Sequence, residues 1–262
     1  VIGSDDPGAS IRVAALYEPL GAPVVITDPA TAETVKYVAN AFLATKLSFV
    51  NAIAAVCEAV GADVDDVMAS LGHDHRIGPD YLQPGPGWGG SCFPKDTRAL
   101  LQISEEAGYP FRFLEGVLEV NAQQVDRVVA KVESAAGGSL NSANVAVWGL
   151  TFKANTDDLR ESPSLAVIEN LLERGAIVRA WDPTVEASRP PIPGEVVVCA
   201  DPYVACRDAD AVVVLTEWPE LEGIDAAKIA ELVRRRAIVD ARNVLDRDSW
   251  QQAGFDHQGI GR

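Results

Sequence analysis

Hydrophobic positions fall into two regimes along the chain. From about Thr31 to Val60, apolar residues (Val35, Val38, Phe42, Leu43, Leu47, Phe49, Val50, Ile53, Val56) recur near helical spacing. This predicts one helix, roughly 45 Å long if it runs about 30 residues. Gly61 stops it, and Asp63 is placed to cap a second helix through about Leu71. Helices are also expected from Thr97 to Ala107 and, in one or two pieces, from Phe111 to about Ala136, before Gly137-Gly138-Ser139 forms a linker. From Asn144 the pattern changes to short apolar runs separated by helical stretches. Asn144–Leu150, Ile177–Asp182, Glu195–Val198, Ala211–Thr216 and Ala237–Asp240 read as strands. Helices are expected over about Ser164–Arg174, briefly through Cys206, and over about Ala226–Arg235.

Strands alternating with helices make a doubly wound parallel sheet. The fold class expected is therefore α/β: a central helical region with a long helix, then a Rossmann-like doubly wound domain. The divisions are 1–28, 29–140 and 141–262. Residues 1–28 hold one strand candidate, Val24-Val25-Ile26, and a turn or helix-cap signal at Ser4-Asp5-Asp6-Pro7. They look like the end of a larger unit.

Charge narrows the partners. A net charge of -16 argues against nucleic acid, though a nucleotide needs only a local basic cluster. No apolar run approaches a membrane span, and the opening Val1-Ile2-Gly3-Ser4 has no basic start, so neither membrane nor targeting segment is expected. Cys57, Cys92, Cys199 and Cys206 form no CxxC pair, which fits a reducing cytoplasm. His73, His75 and His257 have no metal-ligand spacing, and no metal is expected.

Candidate chemistry concentrates in Gly85-Pro86-Gly87-Trp88-Gly89-Gly90-Ser91-Cys92-Phe93-Pro94-Lys95-Asp96. Four glycines in six residues let a ligand approach the peptide N–H groups. A lysine near a cysteine favours the thiolate, which is the nucleophile. Free cysteine is also a common inert core residue, and spacing alone leaves both readings open. Lys36 and Asn40 share a helical face, as either a solvated stripe or a cation and amide turned into a cleft. Arg76, in a turn-rich segment before the loop, is a phosphate or sugar contact or a plain surface arginine. Ligands of doubly wound sheets bind at the carboxyl ends of strands, where Lys153, Asp182, Glu217 and Arg242 fall. The dinucleotide fingerprint GxGxxG occurs nowhere.

Lys36 and Asn40, Arg76-Ile77-Gly78, the glycine-rich cysteine loop and Gly149-Leu150-Thr151-Phe152-Lys153, in this order, resemble the UDP-glucose/GDP-mannose dehydrogenase family, the UDP-glucose 6-dehydrogenase branch most closely. Asp157-Asp158-Leu159-Arg160-Glu161-Ser162 and Asp240-Ala241-Arg242-Asn243-Val244-Leu245-Asp246 match the family's later motifs. The resemblance implies oxidation of a nucleotide-sugar at its C6 alcohol to a carboxylate with two NAD⁺ in turn, through a thiohemiacetal and a thioester on Cys92. It gives catalytic roles to Cys92, Lys36, Asn40 and Asp96. Substrate contacts would come from the loop at Gly89 and from Tyr81, Lys153 and Arg242, with Arg76 reaching into a neighbouring subunit's site. Lys95 and Arg160 would face the cofactor, and a homodimer is implied. Family members carry an N-terminal NAD-binding Rossmann domain that residues 1–262 do not supply, so the chain is expected to be inactive alone. Two further readings stand beside this one: a non-catalytic nucleotide-sugar-binding and dimerisation module, and a dehydrogenase of TDP-glucose, GDP-mannose or a UDP-N-acetylhexosamine.

Overall fold

The computed structural model of the chain describes residues 1–187 and 189–262. β1 (Ile2–Gly3), α1 (Pro7–Tyr17) and β2 (Ile26–Thr27) form a small βαβ unit whose two strands pair in parallel. The cap signal at its start is real: the Asp6 carboxylate accepts the Gly8 amide. α2 (Pro29–Val60) then runs for 32 residues. It opens where Asp28 accepts the Thr31 amide, with Pro29 at the first position, where no amide donor is needed. It closes at Gly61, whose φ of 75° lies in the left-handed region that glycine enters freely.

α3 (Val64–Gly72) follows, capped by Asp63 as the sequence predicts. α4 (Phe93–Glu106) and α5 (Arg112–Ala135) pack on α2 around Ala41, Ala44, Trp88, Leu114 and Val117. α4 starts at Phe93 rather than near Thr97, because Pro94 falls in its first turn, where proline is tolerated. Lys95 and Asp96 are therefore helical, and Cys92 is the residue at the helix head.

The second unit comprises β3 (Asn144–Trp148), α6 (Pro163–Glu173), β4 (Ile177–Trp181), β5 (Val197–Val198), α7 (Pro202–Ala205), β6 (Ala211–Val214), α8 (Ala226–Leu232), β7 (Ala237–Asp240), α9 (Arg247–Gln252) and β8 (Asp256–Gly259). All six strands are parallel, in the order β5-β4-β3-β6-β7-β8. The strand order reverses between β3 and β6, which is the topological switch point where such sheets bind ligands. Alternation along β3 covers both faces. Val145 and Val147 pack with α2, α3, α5 and α6, whereas Ala146 and Trp148 pack with α7, α8 and α9.

α9 and β8 are not predicted by the sequence pattern. Asp256-His257-Gln258-Gly259 has no apolar run, and its strand geometry comes from pairing with β7 (Ile238 opposite His257). The expected strand at Glu195–Val198 shrinks to two residues at the sheet edge.

One expectation about hydropathy changes. α2 is long and apolar enough to cross a bilayer, with an 18-residue window of mean hydropathy 1.5. Lys36 and Lys46 interrupt the apolar run and hide this in a reading by run length. The helix is nevertheless built into the fold. Its buried side carries Asn40, Ser48 and Asn51, each bonded to another segment, beside Val50, Ala54 and Cys57 of the core. The last residues tie the two units together: Glu58 of α2 accepts the Gly261 amide at 2.8 Å, and Arg262 donates to Asp65 at 2.7 Å.

Candidate active site

The glycine-rich loop lies between α3 and α4 and forms one wall of a cleft of 620 Å³. The other wall is the switch point of the sheet: Phe152 and Lys153 after β3, Glu217 after β6 and Arg242 after β7. Tyr81, Gly89 and Cys92 line the same space. Six of the sequence-predicted residues (Tyr81, Gly89, Cys92, Lys153, Glu217 and Arg242) thus meet in one cleft, although they come from distant stretches of chain.

Polar side chains on the two long helices hold the loop in place. Asn51 of α2 accepts the Gly85 amide at 2.9 Å, and Gln124 of α5 donates to the Gly85 carbonyl at 2.8 Å. Asn121 accepts from the Trp88 amide and donates to the Trp88 carbonyl, at 2.8 and 3.0 Å. The Trp88 indole donates to Ser48, which donates onward to the Val117 carbonyl. A buried loop must satisfy its peptide groups, and these side chains do so. Sequence reasoning missed all four. The available signal is polar residues three apart on otherwise apolar helix faces, at 48 and 51 and again at 121 and 124.

Cys92 is exposed, whereas Cys57, Cys199 and Cys206 are buried. Burial pushes the Cys206 thiol far up, as expected of an inert core cysteine. Lys95 and Arg160, both exposed, lie near Cys92. Beside them Asp96 is buried and accepts hydrogen bonds from the Asn40 amide at 2.5 Å and from Lys95. Burial pushes the Asp96 carboxyl up. The bonds from Lys95 and Asn40, with the charges of Lys95 and Lys36, outweigh that and hold it below the ordinary carboxylate range. Asp96 is therefore an ionised acceptor at neutral pH. Lys36 is exposed and acts on this cluster through its charge, without a hydrogen bond to it.

On the sheet side of the cleft Arg242 is half-buried, 3.1 Å from Glu217, and donates to the carbonyls of Leu215 and Phe152. Burial penalises its charge and lowers its pKa despite the carboxylates of Glu217 and Asp240. Glu217 Oε2, the atom 3.1 Å from Arg242 Nε, is buried and pairs with it by charge, outside hydrogen-bond geometry. Lys153 sits over the Phe152 ring at 5.4 Å. Tyr81 is in the left-handed region at φ 62°, with its ring 6.4 Å from that of Phe93.

Arg76 and Arg160 stand outside the cleft. Arg76 forks onto Asp74 and Arg160 onto Asp158, both in the open. Asp182, one of the strand-end acids, is buried and structural: it accepts the amides of Leu150 and Thr151 and the indole of Trp218.

Comparison with known proteins supplies independent findings. Residues 30–123 match the UDP-glucose/GDP-mannose dehydrogenase family, central domain, and residues 146–247 match the same family's UDP binding domain. The chain is 45% identical to UDP-glucose 6-dehydrogenase TuaD of Bacillus subtilis, over all of this chain and 57% of that protein. It superposes with a TM-score of 0.89 and 36% identity on a UDP-glucose dehydrogenase of Pyrobaculum islandicum, covering 99% of this chain and 57% of that one. A UDP-D-ManNAc dehydrogenase of Pyrococcus horikoshii superposes with a TM-score of 0.84 and 27% identity, over 99% of this chain and 59% of that one. The chain thus spans somewhat over half the length of the relatives it matches.

Proposed function

Given that the chain belongs to the UDP-glucose/GDP-mannose dehydrogenase family, we propose that it carries the nucleophile and the nucleotide-sugar cleft of an NAD-dependent UDP-glucose 6-dehydrogenase. The observation that carries this reading is one cleft holding the exposed Cys92 at a helix head and the half-buried cation Arg242 at the sheet's switch point. Arg242 and Lys153 take the diphosphate, and Tyr81 with Phe152 forms an aromatic wall for the base. The loop amides around Gly89 meet the sugar, whose C6 then lies by Cys92.

Lys95 and Arg160 are exposed cations near Cys92, a donor pair that fits the diphosphate of a dinucleotide. NAD, when bound, accepts hydride. The chain's own residues do the rest. Once the C6 alcohol has become an aldehyde, the Cys92 sulfur adds to its carbon and rebuilds a tetrahedral centre bearing one hydrogen. Loss of that hydrogen as hydride leaves a thioester, and water displaces the sulfur to release the acid. The Lys36 charge stabilises the oxyanion, while Asn40 and the ionised Asp96 orient sugar hydroxyl and water. UDP-glucose is preferred over other nucleotide-sugars because the relatives at 45% and 36% identity bear that name, whereas the UDP-D-ManNAc dehydrogenase stands at 27%.

A homodimer completes the proposal. Val35, Val38, Phe42, Phe49, Val56 and Val60 are exposed along α2 at intervals of three, four and seven, one apolar stripe suited to a second copy. Arg76, outside its own cleft, is then free to reach the partner's.

The test is turnover of a Cys92→Ser variant in an NAD-linked assay of the enzyme carrying this chain. Acid formation should stop, and normal turnover would remove Cys92 from the mechanism.

A further inference from the structure

Beyond the cysteine itself, the structure points to a residue that sets its position. Glu161 follows Arg160 and precedes Ser162, which caps α6 and donates to the Leu150 carbonyl in the loop bearing Lys153. Its backbone is left-handed at φ 44°, a region that a residue with a β-carbon avoids unless its surroundings impose it. Two contacts are made from it, the second by an exposed side chain. The Glu161 carbonyl is pressed against the cysteine loop: it accepts the Gly90 amide at 3.3 Å, and a β-carbon at Gly89 would lie 1.9 Å from it. The Glu161 carboxylate is held by both terminal nitrogens of Arg98, at 3.1 and 3.0 Å. Arg98 lies on α4, the helix that begins just after Cys92. Packing does not replace this fork, because a cavity of 490 Å³ lined by Trp88, Pro94, Leu159 and Pro163 opens beside Arg98 and Glu161.

We propose that Glu161, fastened by Arg98, is a positioning residue for Cys92. Its carbonyl fixes the glycine loop against the nucleotide-binding sheet, so the nucleophile and the nucleotide site keep one relative geometry. The fork joins the helix below Cys92 to the turn that carries Arg160, and the loop between them is gripped at Gly89 and Gly90. The inference rests on the reading of Cys92 as nucleophile.

Hydrogen exchange of segment 85–92 and steady-state kinetics test it together, using Arg98→Ala, Glu161→Gln and the reversed pair Arg98→Glu with Glu161→Arg. Each single variant should speed exchange in segment 85–92, leave strand 144–148 unchanged, and lower kcat about tenfold at nearly constant KM for the nucleotide-sugar, as misplacement of a reacting group does. The reversed pair should recover most of both losses. Unchanged exchange in Arg98→Ala would overturn the proposal. So would faster exchange with unaltered kcat, since the fork would then be merely structural. Retained turnover in Cys92→Ser would instead sink the functional reading while leaving the exchange result intact, so the two failures are distinguishable.

Discussion

Gly89 shows how little freedom the loop has. Its missing side chain is required by the Glu161 carbonyl at 1.9 Å and the Pro163 ring at 2.9 Å, and both neighbours are backbone-bound. Gly89→Ala should shift the whole loop and cost about 2 kcal/mol or more, read as a lower midpoint in denaturant unfolding. An unchanged midpoint would mean that the loop yields more easily than this geometry allows. The residues with distinctive chemistry were legible in the sequence: glycines, a cysteine, and the lysine and aspartate beyond it mark the loop that forms one wall of the cleft. The residues that hold that wall were not. Asn51, Asn121 and Gln124 look like stray polar groups on apolar helices until the loop folds onto them and supplies peptide groups to satisfy. The ion pairs of Arg76 with Asp74 and Arg160 with Asp158 were equally hidden, because spacing does not say whether an arginine faces a ligand or its neighbour.

At the level of elements, α2 does three things. Its caps fix where it starts and stops, its buried polar side carries Asn40 and Asn51 toward the cysteine loop, and its exposed apolar stripe is the proposed dimer surface. Phe42→Glu combined with Phe49→Glu places charge in that stripe and should convert a dimer to a monomer in sedimentation, with the helical circular dichroism unchanged. A dimer that persists would move the interface elsewhere. Long periodic elements such as α2 and α5 were legible because periodicity and caps agree over many residues. β8 and α9 were not, since neighbouring strands rather than local apolar runs make them. The start of α4 was obscured by Pro94, which breaks helices in their interiors but not in their first turn.

The whole molecule is welded where the last residues return to α2 and α3, and β8 ends in that weld. His257 of β8 is fully buried, with neither ring nitrogen hydrogen-bonded and Nε2 3.8 Å from Asp240. Burial first, then the cations Arg262 and Arg247, push its pKa down to about 4. An unfolded histidine takes its proton near pH 6.5, as a rough reference value. Between these values the unfolded state binds more protons, so stability falls as pH drops through that window, by about 3 kcal/mol in all. Asp240, whose pKa is raised chiefly by burial, takes its proton earlier when folded and offsets part of the loss. His257→Leu should therefore flatten the fall of Tm from neutral pH to about pH 4. Parallel curves for variant and parent would assign acid lability elsewhere. The same architecture brings the loop of one unit to the switch point of the other, and the central claim is that a nucleotide-sugar bridges them with its reacting carbon at Cys92. The most direct measurement is the rate at which iodoacetamide alkylates Cys92, followed on its peptide by mass spectrometry, with and without UDP-glucose. Because a cleft ligand is mostly enclosed, saturating UDP-glucose should slow Cys92 alkylation about tenfold or more. An unchanged rate while calorimetry shows UDP-glucose bound would put the ligand elsewhere and contradict the account.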